Sequence, residues 1–319
     1  MGKSAKFINQ SIATYSFRDI SMNCKYCGSE NVVKNGHVKE KQFYACKNCG
    51  HKFTEPKVFP KMRTESRIIS TAIDVYYEGL SLRKVQTQIE KIFGVRVSQV
   101  TIWKWITKYS KIVTEFVETL KPELLGVYHV DETAIKCKGV QKWFWEIIDE
   151  QTKFLVAGHL SASRSTEECI ALFEKSVKVA KRNPVSIYCD GLPAYVGGYN
   201  KVFRTLKKDG RPELIRRVGI RNVHNQNAVE RLHSTLKDRL KPTRGLKGEE
   251  TVRTLLEGWV VHYNYVRKHQ TIKMTPAQAS GIEMKNDWFT LIEKSIKNQT
   301  DKETKEENKK LEKVIMVVE

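Results

Sequence analysis

The chain has 319 residues and a mass of 36.9 kDa, enough for about two domains with small appendages. Lys and Arg total 56 against 36 Asp and Glu, and the formal net charge of +20 favours a polyanionic partner. A hydrophobic content of 40% excludes a wholly disordered chain. The sequence has no apolar run of the roughly 18 residues that a membrane span needs, and its first residues lack the apolar core of a signal peptide. We therefore expect an intracellular protein that handles nucleic acid.

Four of the seven cysteines form two CxxC pairs separated by 18 residues: Cys24 and Cys27, then Cys46 and Cys49. Two such pairs supply four thiolates to a closed tetrahedral site, which predicts a zinc ribbon with one structural Zn²⁺. The segment between the pairs is typical of a hairpin with its turn at Asn35-Gly36. The lysine-rich ribbon fits contact with DNA or with another protein. The remaining cysteines are scattered, so reducing surroundings fit better than a disulfide framework.

Residues 64–118 have helical periodicity, interrupted by Gly79 and Gly94. Ser81 and Ser98 stand where they would cap the helices that follow each break. A short helix, a glycine turn and a second capped helix are typical of a helix-turn-helix that reads the major groove of DNA. The alternative is a helical hairpin that packs without touching DNA. In the first interpretation the second helix presents three side chains to DNA: Thr101, Lys104 and Lys108.

Three carboxylates stand in segments of different predicted structure. Asp131 lies in the strand-like VYHVDETAIK, Asp190 ends the apolar run VSIYCD, and Glu230 lies in the amphipathic helix NQNAVERLHSTLKDRL. Converging carboxylates suit Mg²⁺ or Mn²⁺, and two such ions about 4 Å apart can activate an attacking oxygen and stabilise a leaving oxygen. The spacing of these three acids is weak evidence for a metal site by itself, because a chain with 36 acids contains many such triples. Glu132 is expected on the opposite face of the strand, where it would either support the metal ligands or have a structural role.

The segment 201–247 holds 14 Lys and Arg against 4 acids, which is half of the chain's excess positive charge. Around Glu230 this charge predicts that Arg231, Lys237 and Arg239 hold the DNA backbone. His129 and His224 lie near the predicted site and are expected to be structural imidazoles. From residue 296 the sequence lacks core residues, which predicts a frayed, charged tail.

Several separated motifs resemble the DDE transposases of prokaryotic insertion sequences, most closely the IS-six type: HVDETAIKCKG with KWFWEIID, CDGLPAY, NQNAVERLHSTLKDRLKPTRGLKG and HYNYVRKHQTIKMTPAQASG. The resemblance covers roughly residues 60–281. It implies an α/β fold with a ribonuclease H-like mixed sheet flanked by helices. It also implies that Asp131, Asp190 and Glu230 are the catalytic triad that binds two Mg²⁺ or Mn²⁺ ions, with Lys237 as a basic position near the DNA. The interval from Asp190 to Glu230 is slightly longer than is usual for the type, which predicts a loop insertion in KKDGRPELIRR.

The function implied is that of a DNA transposase, which frees a 3′-OH at each end of its element and joins it to target DNA. Because two DNA ends must meet, we expect a homodimer or larger assembly, in the cytoplasm and associated with the nucleoid. The alternatives are a stand-alone metal-dependent nuclease and a DNA-binding regulator with an inactive core. The predicted organisation is an N-terminal segment (1–20), the zinc ribbon (21–58), the helix-turn-helix domain (59–120), the catalytic domain (121–285) and a C-terminal helix with its tail (286–319).

Overall fold

The computed structural model describes residues 23–38, 41–54, 58–216, 227–243, 246 and 248–318. Its packing divides the chain into two compact units, Met1–Pro60 and Lys61–Glu319. Within the described residues, no helix combines the length and apolar character needed to cross a bilayer.

The first unit holds a three-stranded antiparallel sheet in the order β1-β2-β3: β1 (Val32–Val38), β2 (Lys41–Cys46) and β3 (Lys52–Thr54). Val38 pairs with Lys41, so the turn of the hairpin follows Val38. The predicted turn at Asn35-Gly36 is therefore wrong. These two residues lie inside β1, at a point where the pairing register shifts and Gly36 adopts φ +80°. Glycine tolerates this left-handed backbone, and here it forms a bulge instead of a turn.

Three helices begin the second unit: α1 (Ser66–Tyr77), α2 (Leu82–Phe93) and α3 (Gln99–Val117). The side chains of Ser81 and Ser98 accept hydrogen bonds from the backbone N–H groups of Lys84 and Thr101, which caps α2 and α3. Gly94 ends α2 with φ +67°. The two serine caps and the glycine turn predicted from the sequence are confirmed.

A five-stranded mixed sheet forms the centre of the second unit, in the order β6-β5-β4-β7-β8: β4 (Val127–Cys137), β5 (Val140–Asp149), β6 (Leu155–Ser161), β7 (Ser186–Cys189) and β8 (Glu213–Arg216). The first three strands form an antiparallel meander, whereas β7 runs parallel to β4 and β8 runs parallel to β7. This strand order and these directions are those of a ribonuclease H-like sheet. The predicted α/β fold class is confirmed.

Helices follow the strands in this unit: α4 (Thr166–Ala180), α5 (Pro193–Phe203), α6 (Asn227–Leu240), α7 (Glu249–Val261), α8 (Pro276–Ala279) and α9 (Trp288–Val318). Helix α7 continues into a π-helical turn, His262–Val266. Helix α3 packs against α7 and α9, and α4 packs against β6 and α5.

Two predictions about irregular segments are wrong. The segment KKDGRPELIRR, predicted as a loop, contains a 3₁₀ turn (Lys208–Gly210) and strand β8, because Leu214 pairs beside Ile187 of β7. The tail predicted to fray from residue 296 instead continues α9 as far as Val318. Its many Lys and Glu residues have good intrinsic helix propensity, so a polar composition did not exclude a helix.

Strand β6 lies at one edge of the sheet, and a side chain holds its first residue. The buried amide of Asn264, in the π-helical turn, accepts a hydrogen bond from the Leu155 backbone N–H at 2.9 Å and donates one to the Leu155 carbonyl at 3.0 Å. The amide thereby satisfies both backbone groups of Leu155, as a neighbouring strand would.

Candidate active site

Four thiols of the first unit meet in one cluster, with all four Sγ atoms within 4.8 Å of one another: Cys24, Cys27, Cys46 and Cys49. Two of the Sγ–Sγ distances, Cys24–Cys49 and Cys27–Cys46, are 3.6 Å. Backbone N–H groups of Cys49 and Asn48 favour the thiolate and lower the pKa of Cys46 to about 6. Four thiolates at this separation are the donor set of a closed structural zinc site, so the cluster is compatible with Zn²⁺.

Asp131 and Asp190 are brought together by the parallel pairing of β4 and β7. His129 of β4 lies beside Tyr188 of β7, and each aspartate follows two residues later. The carboxylate oxygens of Asp131 and Asp190 lie within 4.8 Å of each other and of a Glu132 oxygen. Clustered carboxylates are the ligands that hard divalent cations prefer. The end of β7 beside β4 is therefore compatible with a divalent cation.

Backbone N–H groups orient both aspartates. Asp131 Oδ1 accepts from the Glu132 N–H at 2.9 Å, and Asp190 Oδ1 accepts from the Leu192 N–H at 2.8 Å. Burial raises the pKa of Asp131, and the nearby Asp190 charge acts in the same direction, while His233 opposes both. A cation bound here would relieve this electrostatic cost.

The expectation that Glu132 points away from Asp131 is wrong, because its carboxylate belongs to the same cluster. Side chains alternate between the faces of a strand, but β7 ends at Cys189, so Glu132 can reach around the open edge of β4. There it forms an ion pair with Arg164 and accepts a hydrogen bond from Tyr195 Oη at 2.5 Å. Burial raises its pKa, and both partners oppose that shift. These contacts fit the structural role expected for Glu132.

Glu230 lies in the first turn of α6 with an exposed side chain, and it is not one of the acids that meet within 4.8 Å in the described part of the chain. Helix α6 is nevertheless held beside β4 and β5 by His233. His233 Nε2 lies 2.7 Å from Glu146 Oε2, and His233 Nδ1 lies 3.9 Å from Asp131 Oδ2. Glu230 precedes His233 by three residues and therefore lies one turn away on the same side of the helix.

Glu146 and His233 are the site-lining residues that the sequence reasoning missed. Glu146 is a single acid inside the apolar strand run KWFWEIID, and its side chain is fully buried. His233 lies between Leu232 and Leu236 of the buried stripe of α6. The sequence did contain a signal for this pair. A single charged residue within an apolar strand and a histidine beside the buried stripe of a helix both indicate buried polar groups that need a partner.

The prediction that Arg239 contacts DNA is wrong. Its side chain is 3% exposed, and its guanidinium carbon lies 3.8 Å from the centre of the Tyr76 ring. The helical period explains this position, because Arg239 lies seven residues after Leu232 and three after Leu236, on the buried stripe of α6. Burial lowers the pKa of Arg239, and the neighbouring tyrosines oppose that shift.

The other predicted DNA contacts differ in their exposure. Lys104, Lys108, Arg231 and Lys237 are exposed. Thr101 is half-buried, and its hydroxyl lies 2.9 Å from the Ser98 hydroxyl in the cap of α3. The positive charge of Lys237 lowers the pKa of Glu146, against the larger upward effect of burial. Lys237 follows His233 by four residues and therefore lies on the same side of α6.

The two histidines predicted to be structural have different outcomes. His129 is buried and stacks on Tyr188 with ring centroids 5.1 Å apart. His224 lies outside the described residues.

A second group of possible ligands, Asp74, Glu78 and His262, lies away from this site. The Trp288 indole N–H donates to His262 Nδ1 at 3.2 Å, and Glu78 Oε1 lies 3.3 Å from His262 Nε2. The imidazole therefore joins the end of α1, the π-helical turn and α9.

Two family models match the chain. Residues 126–270 match a model described as a DDE domain, and residues 50–142 match a model described as Transposase, Mutator family. The chain is 27% identical over 143 residues to an uncharacterized 48.3 kDa protein of insertion element ISM1 of Methanobrevibacter smithii, a match that covers 40% of this chain and 35% of that protein. The chain thus spans about a third of the length of that relative. An uncharacterized protein of Methanocaldococcus jannaschii is 27% identical over 222 residues, covering 68% of this chain and 94% of that protein.

Solved structures that align with the chain include the magnesium complex of the HTLV-2 integrase catalytic core domain, with a TM-score of 0.38 and 14% identity over 50% of this chain and 98% of that chain. A simian T-cell lymphotropic virus intasome, in complex with a PP2A regulatory subunit, aligns with the same TM-score and identity over 50% of this chain and 56% of that chain.

Proposed function

We propose that this chain, which carries a DDE domain and resembles the DDE transposases of insertion sequences, is a DNA transposase that cuts element ends and joins them to target DNA. One observation supports the proposal more than any other. Asp131 of β4 and Asp190, directly after the parallel neighbour β7, bring their carboxylates within 4.8 Å where β7 ends beside β4. We further propose that it belongs to the IS-six type, on the sequence motifs quoted above.

Asp131, Asp190 and Glu230 are the proposed ligands of two Mg²⁺ or Mn²⁺ ions. Such ions, when bound, neutralise phosphate charge, activate the attacking oxygen and stabilise the leaving oxygen. The protein fixes two of these ligands through the backbone N–H groups of Glu132 and Leu192. Preorganised ligands of this kind favour the charge distribution of the transition state without reorganisation during the reaction.

The proposed reaction has two phosphoryl-transfer steps and no covalent enzyme intermediate. In the first, a water oxygen bonds to phosphorus at the element end, the bond from phosphorus to the 3′ oxygen breaks, and that oxygen takes a proton to become a 3′-OH. In the second, this 3′-OH attacks a phosphodiester of the target, and the target's own 3′ oxygen leaves. Each step breaks one P–O bond and forms another, and only the second step forms a new phosphoester. Positioning therefore supplies much of the rate.

Exposed basic residues are the proposed contacts to DNA. Lys104 and Lys108, together with Thr101, belong to the proposed recognition helix α3, and Arg231 and Lys237 flank the proposed third ligand on α6. The cysteine cluster is proposed to bind one structural Zn²⁺, which would make residues 21–58 a ribbon that contacts DNA or protein. Because two element ends react together, a homodimer or larger assembly is the proposed active form. We also propose that the protein acts in the cytoplasm on nucleoid DNA.

A strand-transfer assay tests the proposal. Purified protein is incubated with Mg²⁺ or Mn²⁺, labelled DNA carrying the element end and a supercoiled plasmid. Joined products are the expected result. Nicks without joining would instead support a nuclease, and binding without either product would support a regulator.

The matched variants are Asp131→Asn and Asp238→Asn. We expect Asp131→Asn to abolish cutting and joining while DNA binding persists. Asp238 lies on α6 with an exposed side chain paired to Lys241, so its replacement should leave the activity unchanged. Parallel loss of DNA binding in Asp131→Asn would contradict a catalytic role and indicate a structural one.

A further inference from the structure

We propose that Glu146 and His233 form a positioning pair that holds α6, and with it Glu230, in register with Asp131 and Asp190. The inference rests on the proposed function, because it concerns the third ligand of the same site. Neither residue is placed to touch DNA. Glu146 is fully buried, and His233 is 9% exposed.

The geometry of the pair links three elements. Glu146 of β5 is the cross-strand partner of Asp131 of β4, so the two acids lie side by side on the sheet. His233 of α6 contacts both, with Nε2 2.7 Å from Glu146 and Nδ1 3.9 Å from Asp131. Because Asp131 Oδ1 is bound by the Glu132 N–H, it is Oδ2 that faces the imidazole. The imidazole therefore lies directly behind a proposed metal ligand.

A carboxylate buried as completely as Glu146 is expensive unless a partner stabilises it. Burial raises the pKa of Glu146, and His233 and Lys237 of α6 act against that shift. His233 is the partner that α6 supplies to this buried carboxylate, with Nε2 2.7 Å from Glu146 Oε2. If stability alone were required, an apolar pair of similar volume would suit this part of the core as well or better. A buried acid and imidazole at this position therefore indicate a requirement other than stability.

That requirement is the placement of Glu230. Within the described residues, the ion pairs that join α6 to the sheet are those made by His233. Glu230 lies one turn before His233, so a small rotation or shift of α6 would move its carboxylate away from the two aspartates. Residues that orient metal ligands typically affect metal affinity about 10- to 100-fold. Replacement of either residue of the pair should therefore weaken the binding of divalent ions more than it weakens the binding of DNA.

The test measures Mn²⁺ binding to the full, zinc-loaded chain without DNA, by the loss of free Mn²⁺ signal in electron paramagnetic resonance. We expect His233→Ala to raise the Kd for Mn²⁺ about 10- to 100-fold. His233→Gln, which keeps a donor for Glu146, should recover part of that loss. Ser234→Ala, an exposed neighbour on α6, is the matched control and should bind Mn²⁺ like the wild type.

A double variant, Glu146→Leu with His233→Leu, separates positioning from structural support. It fills the same volume without buried charge, so it should fold even if His233→Ala does not. We expect native helix content by circular dichroism together with weakened Mn²⁺ binding. Wild-type affinity for Mn²⁺ in the folded double variant would overturn the proposal.

The readout also separates this proposal from the proposed function. If the wild type fails to cut DNA but its Mn²⁺ binding depends on His233, the positioning role of the pair is supported and the proposed reaction is contradicted. If the wild type joins DNA and His233→Ala binds Mn²⁺ normally, the proposed reaction is supported and the positioning role is contradicted.

Discussion

Asp131 occupies a position that costs folding free energy. Its carboxylate is half-buried and lies within 4.8 Å of two other acids, Glu132 and Asp190. Burial and the charge of Asp190 both raise its pKa, although His233 opposes them. The cation proposed for this site would offset that cost when bound, and the metal-free protein bears it.

Asp131→Asn should therefore stabilise the metal-free protein at pH 7. Because the folded-state pKa of Asp131 is raised, ionisation disfavours the folded state, and the associated stability is lost as pH rises from the unfolded-state pKa through the folded-state pKa. The asparagine never ionises. The variant should therefore be more stable than the wild type at pH 7, and equally stable in acid below the folded-state and unfolded-state pKa values of Asp131. We expect a rise in Tm of about 2–4 °C at pH 7, which corresponds to roughly 1 kcal/mol for a domain of this size. Thermal unfolding in a chelator measures it, with Asp238→Asn as the unchanged control. A lower Tm for Asp131→Asn would contradict the prediction.

Arg239 and Lys104 should have opposite roles despite carrying the same charge. Arg239→Ala removes a buried guanidinium stacked on Tyr76, so we expect a loss of about 2–3 kcal/mol in the free energy of unfolding, with the salt dependence of DNA binding unchanged. Lys104→Ala, at an exposed position on α3, should leave stability unchanged and reduce the slope of log K against log salt by about 1. Denaturant titration and DNA binding at several salt concentrations measure both quantities. An altered salt slope in Arg239→Ala would restore Arg239 as a DNA contact.

At the scale of the elements, three helices meet at a residue without a side chain. Gly258 of α7 faces Tyr77, at the end of α1, and Ser110 of α3, whose hydroxyl groups lie 2.9 Å apart. A Cβ on Gly258 would lie 2.5 Å from Ser110 Oγ and closer still to the Tyr77 hydroxyl. The absence of a side chain therefore permits the close approach of α7 to the end of α1 and to α3.

Gly258→Ala should destabilise the second unit by about 2–3 kcal/mol, because a tightly packed contact cannot accept the added methyl group without moving a helix. Gly248→Ala is the matched control on the same helix. An added Cβ there meets Thr251 at an ordinary 3.6 Å, so we expect a change within about 0.5–1 kcal/mol. Denaturant titration compares the two variants. Equal stability of both would show that α1 and α3 can move apart from α7 at little cost.

The elements that the sequence predicts well are those with local signals. Ser81, Ser98 and Gly94 define the ends of α2 and α3 within a few residues, and apolar runs ending in an acid predict the strands that carry Asp131 and Asp190. The resemblance to a known family adds the ribonuclease H-like fold. Asn35-Gly36 misled because the same dipeptide suits a bulge and a turn, and the choice depends on the pairing of both strands.

The parts of the site that could not be predicted depend on packing between distant segments. Glu146 and His233 are 87 positions apart, and their contact follows from how α6 lies on the sheet. Arg239 was expected to hold the DNA backbone because of its charge, yet its place in the helical period puts it against Tyr76. Local patterns specify elements, whereas the partners of a buried charge are specified by the tertiary arrangement.

At the scale of the whole molecule, the chain consists of two compact units whose stability has different origins. The unit Met1–Pro60 has a small described core, which includes Cys24, Cys46 and Phe53. A unit of this size buries too little apolar surface to be stable without a further constraint such as a metal. The unit Lys61–Glu319 has an extensive core of its own between the sheet and its helices.

Removal of zinc should therefore unfold the ribbon and leave the second unit folded. We expect a chelator to abolish the hydrogen-exchange protection of residues 32–54 while protection in the central sheet is unchanged. Cys27→Ser should have the same effect, and Cys137→Ser, in a strand of the central sheet, is the control that should leave the ribbon intact. Protection of the ribbon that survives chelation, or a preparation without zinc by elemental analysis, would contradict the assignment of the metal.

The amide of Asn264 has a consequence for encounters between copies of the chain. A foreign strand that aligned itself along β6 would find the peptide group of Leu155 already occupied and would have to displace a buried amide to continue the sheet. The strand at the opposite edge, β8, has only four residues and so offers few backbone groups with which another strand could pair. Extension of this sheet by a strand from another copy is therefore discouraged at both of its outer strands.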